Sequence, residues 1–209
     1  MFSYGLVFAS FIIYLILLNP IRKDYRSLLK NSLLCYFYWL GVWLLVGSVV
    51  FTTNFAFFGE LFSSLEQQLE WVPILRAPLV EESSKLIFIY ILREKQKVSG
   101  NELVRLGGII GNWYFLMENI GYIFVKNLSW GTTIFRLFPG HINYASLDAF
   151  GLKNDFSKNR IVFPVLAVLL HGFVNFLSID YFQLYVISGI LSFILFFTIL
   201  IKTSAHVGK

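Results

Sequence analysis

The chain is poor in charge, nearly devoid of cysteine, and lacks the short signatures that mark soluble hydrolases. Only 14% of its 209 residues are charged, whereas 57% are hydrophobic, 19% are aromatic and the mean hydropathy is +0.69. A water-soluble domain of this length has too little interior to hide that much apolar surface, so lipid must cover part of it. Cys35 is the single cysteine and lies in an apolar run, which excludes an intramolecular disulfide and a cysteine-based zinc site. With 5 Pro and 15 Gly against 23 Phe, a disordered or collagen-like chain is excluded too. No internal repeat or low-complexity tract is present, and residues 1–209 read as one integral membrane domain.

Other absences narrow the chemistry. The sequence has no His-Glu-x-x-His pair, no Gly-x-Ser-x-Gly elbow and no phosphate-cradling loop ending in Lys-Ser or Lys-Thr. Gly107, Gly108 and Gly111 suit close helix packing instead. The net charge of +5 does not point to nucleic acid, because the basic residues fall in short clusters between apolar runs; anionic lipid headgroups are the expected partner.

What is present is a series of apolar segments, at about 2–18, 33–58, 73–92, 103–125, 131–150, 161–178 and 182–201. Most are near the roughly 20 residues that a spanning helix needs. The expected fold is an all-α polytopic transmembrane bundle of about seven spanning helices. The first segment has no basic residue before it and Arg22, Lys23, Arg26 and Lys30 after it, so it reads as an uncleaved anchor rather than a signal peptide. Residues 93–102 and 151–160 and the tail are basic, whereas 59–72 carry Glu60, Glu66 and Glu70. The positive-inside rule then puts the amino terminus outside a cell membrane and the carboxyl terminus in the cytoplasm. Leu61, Phe62, Leu65 and Leu69 fit a helix lying on the outer interface.

Charged groups at mid-membrane cost about 2.5 to 3.5 kcal/mol each by insertion scales, so their presence needs a reason. Glu81, Glu82 and Lys85 fall in the third segment, Glu118 and Asn119 in the fourth, His141 and Asp148 in the fifth, and His171 and Asn175 in the sixth. At 1.5 Å per residue, Glu81 lies roughly 12 Å below the outer surface, Glu118 and His171 about 10 Å and His141 about 15 Å. Helices 3 to 6 thus place their polar residues in one layer of the outer half. Lys85 reaches either glutamate at helical spacing, and His171 shares a face with Asn175. Adjacent glutamates diverge by about 100°, so one can face a cavity while the other faces a neighbouring helix. The plainer alternative is that these residues only hold helices together, Glu82 with Lys85, His171 with Asn175 and Glu118 with Arg136. Polar residues used as glue are more often uncharged, which favours an active site.

Glu81-Glu82-Ser83-Ser84-Lys85, Phe115-Leu116-Met117-Glu118-Asn119, an isolated His141 and His171-Gly172-Phe173-Val174-Asn175 occur in an order that resembles PrsW-type proteases. These belong to a wider group of glutamate-dependent intramembrane proteases that includes CAAX-processing endopeptidases. The resemblance covers roughly residues 70–180, the expected catalytic helix core. It implies hydrolysis of a membrane-anchored protein or lipid-modified peptide near the extracytoplasmic side. The CAAX-type second motif ends in His where this chain has Glu118, which favours the PrsW branch.

The expected catalytic set is Glu81, Glu82, Glu118, His141, His171 and Asn175, with Lys85, Phe115 and Asn119 in support. In this reading Glu81, assisted by His141, activates water, Glu82 and Lys85 set the charge of the pair, His171 and Asn175 bind the oxyanion, and Glu118 protonates the leaving amine. No cofactor is expected, because no two histidines share a helix at ligand spacing. The alternative is zinc held by His141, His171 and Glu81. A small proton-coupled transporter would use the same residue types, but the scattered prolines show no paired repeat; a non-catalytic scaffold is the third alternative.

Overall fold

Pro78 stands in the first turn of a helix, where its missing N–H has no intrahelical partner to lose. That helix opens the main part of the computed structural model, which describes Ile12, Ile74 and residues 77–98, 100–125, 140–153 and 159–204. The described residues form five helices and no strand: α1 Ala77–Gln96, α2 Gly100–Val125, α3 Gly140–Lys153, α4 Asn159–Asp180 and α5 Phe182–Ser204. After α1, Lys97 adopts a left-handed conformation with φ 52°, and Val98 then tucks into the core at 1% exposure. This is the usual geometry of a helix stop, with the chain reversal sealed by an apolar contact. α4 and α5 meet at Tyr181, whose N–H donates to Leu177 O at 3.0 Å and whose carbonyl accepts from Tyr185 N at 2.9 Å.

The packing is inverted relative to a soluble protein. Glu82, Lys85, Arg105, Asn112, Asn143, Asp148, His141 and His171 are buried, whereas Ile161, Val165, Leu169, Ile187, Leu191 and Ile194 are exposed. On α4 the exposed positions 161, 162, 165, 166, 169 and 173 form one helical face, and the buried Pro164, Ala167 and His171 lie on the other. Water does not favour that arrangement, but a hydrocarbon solvent does.

α3 lies at the centre and packs most extensively on α2, with further contacts to α1, α4 and α5. Two glycines permit the close α2–α3 approach. A Cβ on Gly107 would stand 2.5 Å from Ala145 O and 2.6 Å from Ala149 Cβ, and one on Gly111 would collide with the His141 carbonyl. Gly172 of α4 likewise abuts the Ile74 carbonyl.

Four expected segments correspond to α1, α2, α4 and α5 with shifted ends. The fifth overlaps α3, whose described part is Gly140–Lys153, 14 residues or about 21 Å long. Residues 131–139 of that segment, segment 2–18 apart from Ile12, segment 33–58 and the interfacial stretch at 58–71 lie outside the described residues. Among the described residues, Arg160–Ser178 alone is long and apolar enough to cross a membrane, with Gln183–Ile199 a shorter apolar stretch. Seven spans are thus not supported there; the charged residues of α1 and α2 interrupt their apolar runs.

Candidate active site

Three carboxylates, two imidazoles and one ammonium converge between α1, α2, α3 and α4. From α1, Lys85 Nζ donates to Glu82 Oε1 at 2.6 Å, with both groups almost wholly buried. From α4, His171 Nδ1 lies 2.6 Å from the same Glu82 oxygen. An ionised carboxylate only accepts, so in a neutral ring this contact assigns the His171 proton to Nδ1 and leaves Nε2 without one. On α3, His141 Nε2 lies 2.8 Å from Glu118 Oε2 of α2, and its Nδ1 lies 3.3 Å from Lys85 Nζ. That assigns the His141 proton to Nε2, with Nδ1 accepting from the ammonium.

The two bare nitrogens face one carboxylate. Glu81 Oε2 is 3.9 Å from His171 Nε2 and 4.0 Å from His141 Nδ1. The histidine rings meet edge to face with centroids 4.9 Å apart, and Tyr144 stacks on His171 at 4.9 Å and 16°. Tyr114 lies 5.4 Å from His141 and offers its face to Lys85 Nζ at 4.9 Å. The aromatic walls fix both rings and keep water from the ion pairs.

Beside this cluster is a cavity of about 90 Å³, lined by Phe115, Glu118, His141, Tyr144, His171 and Asn175 together with residues of α5. Glu118 is the carboxylate among its lining residues; Glu81 and Glu82 are not among them.

The structure thus brings Glu81, Glu82, Lys85, Glu118, His141 and His171 together and sets Phe115 and Asn175 on the cavity wall. The Asn119 side chain and Arg136 lie outside the described residues. One expectation about contacts changes: His171 bonds to Glu82, because its ring points across to α1. Asp148 is two turns from His141 on α3, and its buried oxygens accept no hydrogen bond among the described residues. Sequence reasoning missed Tyr114, Tyr144 and the cavity face of α5; the spacing of Tyr144 three residues after His141 was the available signal.

The profile of the PrsW family intramembrane metalloproteases matches residues 30–202. The chain belongs to the PrsW family. No curated protein and no solved structure matches it. As a PrsW-family protein it is a membrane protein and a peptidase, which turns the buried cluster from helix glue into the candidate catalytic centre.

The family description implies a metal, and the donor set fits one. Ligand atoms of Glu81, Glu82, His141 and His171 all lie within 4.8 Å of one another. Two imidazoles with a carboxylate form a common zinc donor set, whose atoms stand about 3.4 Å apart around a tetrahedral ion. The separations of 3.9 and 4.0 Å need only a small contraction. The far nitrogen of each imidazole meets a glutamate, Glu118 or Glu82, as in metal sites where a carboxylate orients the ligand ring. The expectation of no cofactor rested on histidines not sharing a helix; here the two histidines come from separate helices, α3 and α4, and their ring nitrogens still lie near one carboxylate, so that spacing does not decide the matter.

Proposed function

We propose that this PrsW-family peptidase cleaves a membrane-anchored protein near the extracytoplasmic side, with Glu81, His141 and His171 holding a divalent metal ion and Glu118 handling the protons. The observation that carries the reading is the convergence of the bare His141 Nδ1, the bare His171 Nε2 and Glu81 Oε2 beside a cavity whose carboxylate is Glu118. When bound, such an ion polarises water and the scissile carbonyl. Glu118 takes one proton from the attacking water as the water oxygen bonds to the carbonyl carbon. The C–N bond then breaks, and Glu118 returns the proton to the leaving amine. Asn175 on the cavity wall donates an N–H to the developing oxyanion. Glu82 holds His171 through Nδ1, and Lys85 offsets the Glu82 charge.

This assignment adds to Glu118, which sequence reasoning had protonating the leaving amine, the water-activating role given there to Glu81, because Glu118 lines the cavity. A metal-free reading keeps one supporting observation: Lys85 Nζ already sits 3.3 Å from His141 Nδ1, where an ion would compete with it. In that version Glu81 is the base. Basic residues in 19–32, 93–102 and 151–160 support a multi-pass topology with the amino terminus outside and the carboxyl terminus cytoplasmic. The relation to CAAX-processing endopeptidases rests on the paired glutamates and the order of the motifs alone.

The test compares wild type, Glu81→Gln and Glu118→Gln, each co-expressed with a panel of single-pass membrane reporters and assayed for bound metal after purification. Glu118→Gln should retain metal and lose about 10² to 10⁴ in cleavage rate, whereas Glu81→Gln should lose the metal. A wild type that cleaves reporters without any metal transfers the proton role back to Glu81.

A further inference from the structure

Asp148 is a buried ionisable residue for which the mechanism above has no use. It is 0% exposed on α3, and neither of its carboxyl oxygens meets a hydrogen-bond donor among the described residues. A polar group left so in an apolar interior costs free energy, so the carboxyl needs a partner in another state of the site. Helix packing does not explain it, because an apolar side chain would fill the same place without that cost.

Charge and spacing together point to the partner. The charges that act most strongly on Asp148 are Glu82, which repels its carboxylate, and Lys85, which attracts it. His141, Tyr144 and Asp148 follow one another on α3 at intervals of three and four residues and so share a face. Lys85 stands against that face, with Nζ 3.3 Å from His141 Nδ1 and 6.0 Å from the centre of the Tyr144 ring. Cα–Cβ bonds on a helix tilt toward its amino end, which directs Asp148 up α3 toward His141.

Lys85 in turn has a reason to move. His141 Nδ1 is one of the donor atoms assigned above to the metal, and it has a single lone pair. An ammonium donating to that lone pair and an ion coordinated by it exclude each other, and at such a distance the two positive charges repel strongly. The ammonium sits on a flexible four-carbon stem with three donors, so it can turn between acceptors without a backbone shift. It does not turn to water, because the whole side chain is 0% exposed. Two other buried acceptors nearby are already engaged: Glu82 is the carboxylate that Lys85 holds, and Asn143 is turned toward Ser192 of α5. Asp148 has both oxygens open among the described residues.

We propose that Asp148 is a positioning residue, the second seat of the Lys85 ammonium: when His141 Nδ1 is given to a divalent ion, Lys85 turns from the histidine to Asp148. In its first position the ammonium closes the site to the ion. The proposal rests on the metal reading above and adds to it a device that controls loading. The lysine on His141 sets a threshold for metal, and the carboxyl two turns along α3 lowers it.

The test titrates Co(II), a divalent probe with visible absorption, into the full-length protein in detergent. Wild type, Asp148→Asn, Lys85→Met and the double variant are compared, with the unfolding temperature read on each preparation. Asp148→Asn should weaken cobalt binding about tenfold, since the ammonium then has no second seat. Lys85→Met should tighten it about tenfold even as it lowers stability, a direction that a merely structural role for the lysine does not produce. In the Lys85→Met background, Asp148→Asn should change the affinity by less than about twofold, because no ammonium is left to seat. If Lys85→Met fails to fold, Lys85→Gln, which keeps a donor for Glu82 without the charge, carries the same expectations. Wild-type affinity in a folded Asp148→Asn, an equal loss with and without Lys85, or weaker binding in the lysine variants overturns the proposal and leaves the metal reading in place. A wild type that binds neither cobalt nor zinc overturns the metal reading, and the seat at Asp148 falls with it.

Discussion

Lys85 is the residue on which the buried cluster depends for charge balance. Its ammonium bonds Glu82, touches His141 Nδ1 and lies over the Tyr114 ring, and the side chain is fully buried. Removing one partner of a buried pair leaves an uncompensated charge, at a cost of about 3 to 5 kcal/mol. Lys85→Met should therefore lower stability by about that amount in detergent unfolding, and the Lys85→Met/Glu82→Gln double variant should recover a large part of it. A single variant as stable as wild type contradicts the charge-balance role. At this scale much of the cluster was legible, because ionisable residues in apolar runs are conspicuous. Glu81, Glu82, Lys85, Glu118, His141 and His171 were all singled out by that test alone. Their pairing was not legible: Glu82 binds both Lys85 and His171 through one oxygen, a fact of three-dimensional direction rather than spacing. Tyr144 was harder to pick out, since its spacing three residues after His141 was the one signal that set it apart from many other aromatics.

Among the elements, α3 falls within the apolar segment 131–150 that suggested a spanning helix, and its described part is Gly140–Lys153. The helix then fits against α2 because Gly107 and Gly111 carry no Cβ. Gly107→Leu should force α2 and α3 apart, at a cost of about 1 to 3 kcal/mol or more, and should lose metal binding together with stability. Detergent unfolding and metal analysis of the same preparation check both. A variant that loses neither refutes the close-approach argument. The cavity face of α5 was legible in principle, because Ser188, Gly189 and Ser192 recur on one side of an otherwise aliphatic helix. It was passed over because none of the three ionises.

For the whole molecule, the inverted distribution of polarity gives the clearest prediction. Leu169 is 59% exposed on the aliphatic face of α4, and no water-soluble fold needs such a face. Leu169→Lys should impose about 2.5 to 3.5 kcal/mol on membrane insertion and reduce the fraction resistant to alkaline extraction, whereas Leu169→Phe should not. Equal extraction of both variants argues that this face meets protein instead. Composition alone made membrane residence legible. The number of spans was not, because hydropathy counts apolar runs without knowing which of them are sheltered by other helices.

The brevity of α3 bears on when the enzyme becomes competent. At about 21 Å, with Asn143, Ser146 and Asp148 buried along it, this helix does not carry the free energy to enter a bilayer by itself. An isolated α3 in a translocon insertion assay should stay outside, whereas α4 should insert; an α3 that inserts alone removes the inference. His171 on α4 then reaches the membrane before the helix that brings His141 to it. Catalysis is thereby deferred until assembly is finished, and a nascent chain that stalls short of that point is an inert bystander rather than an uncontrolled protease.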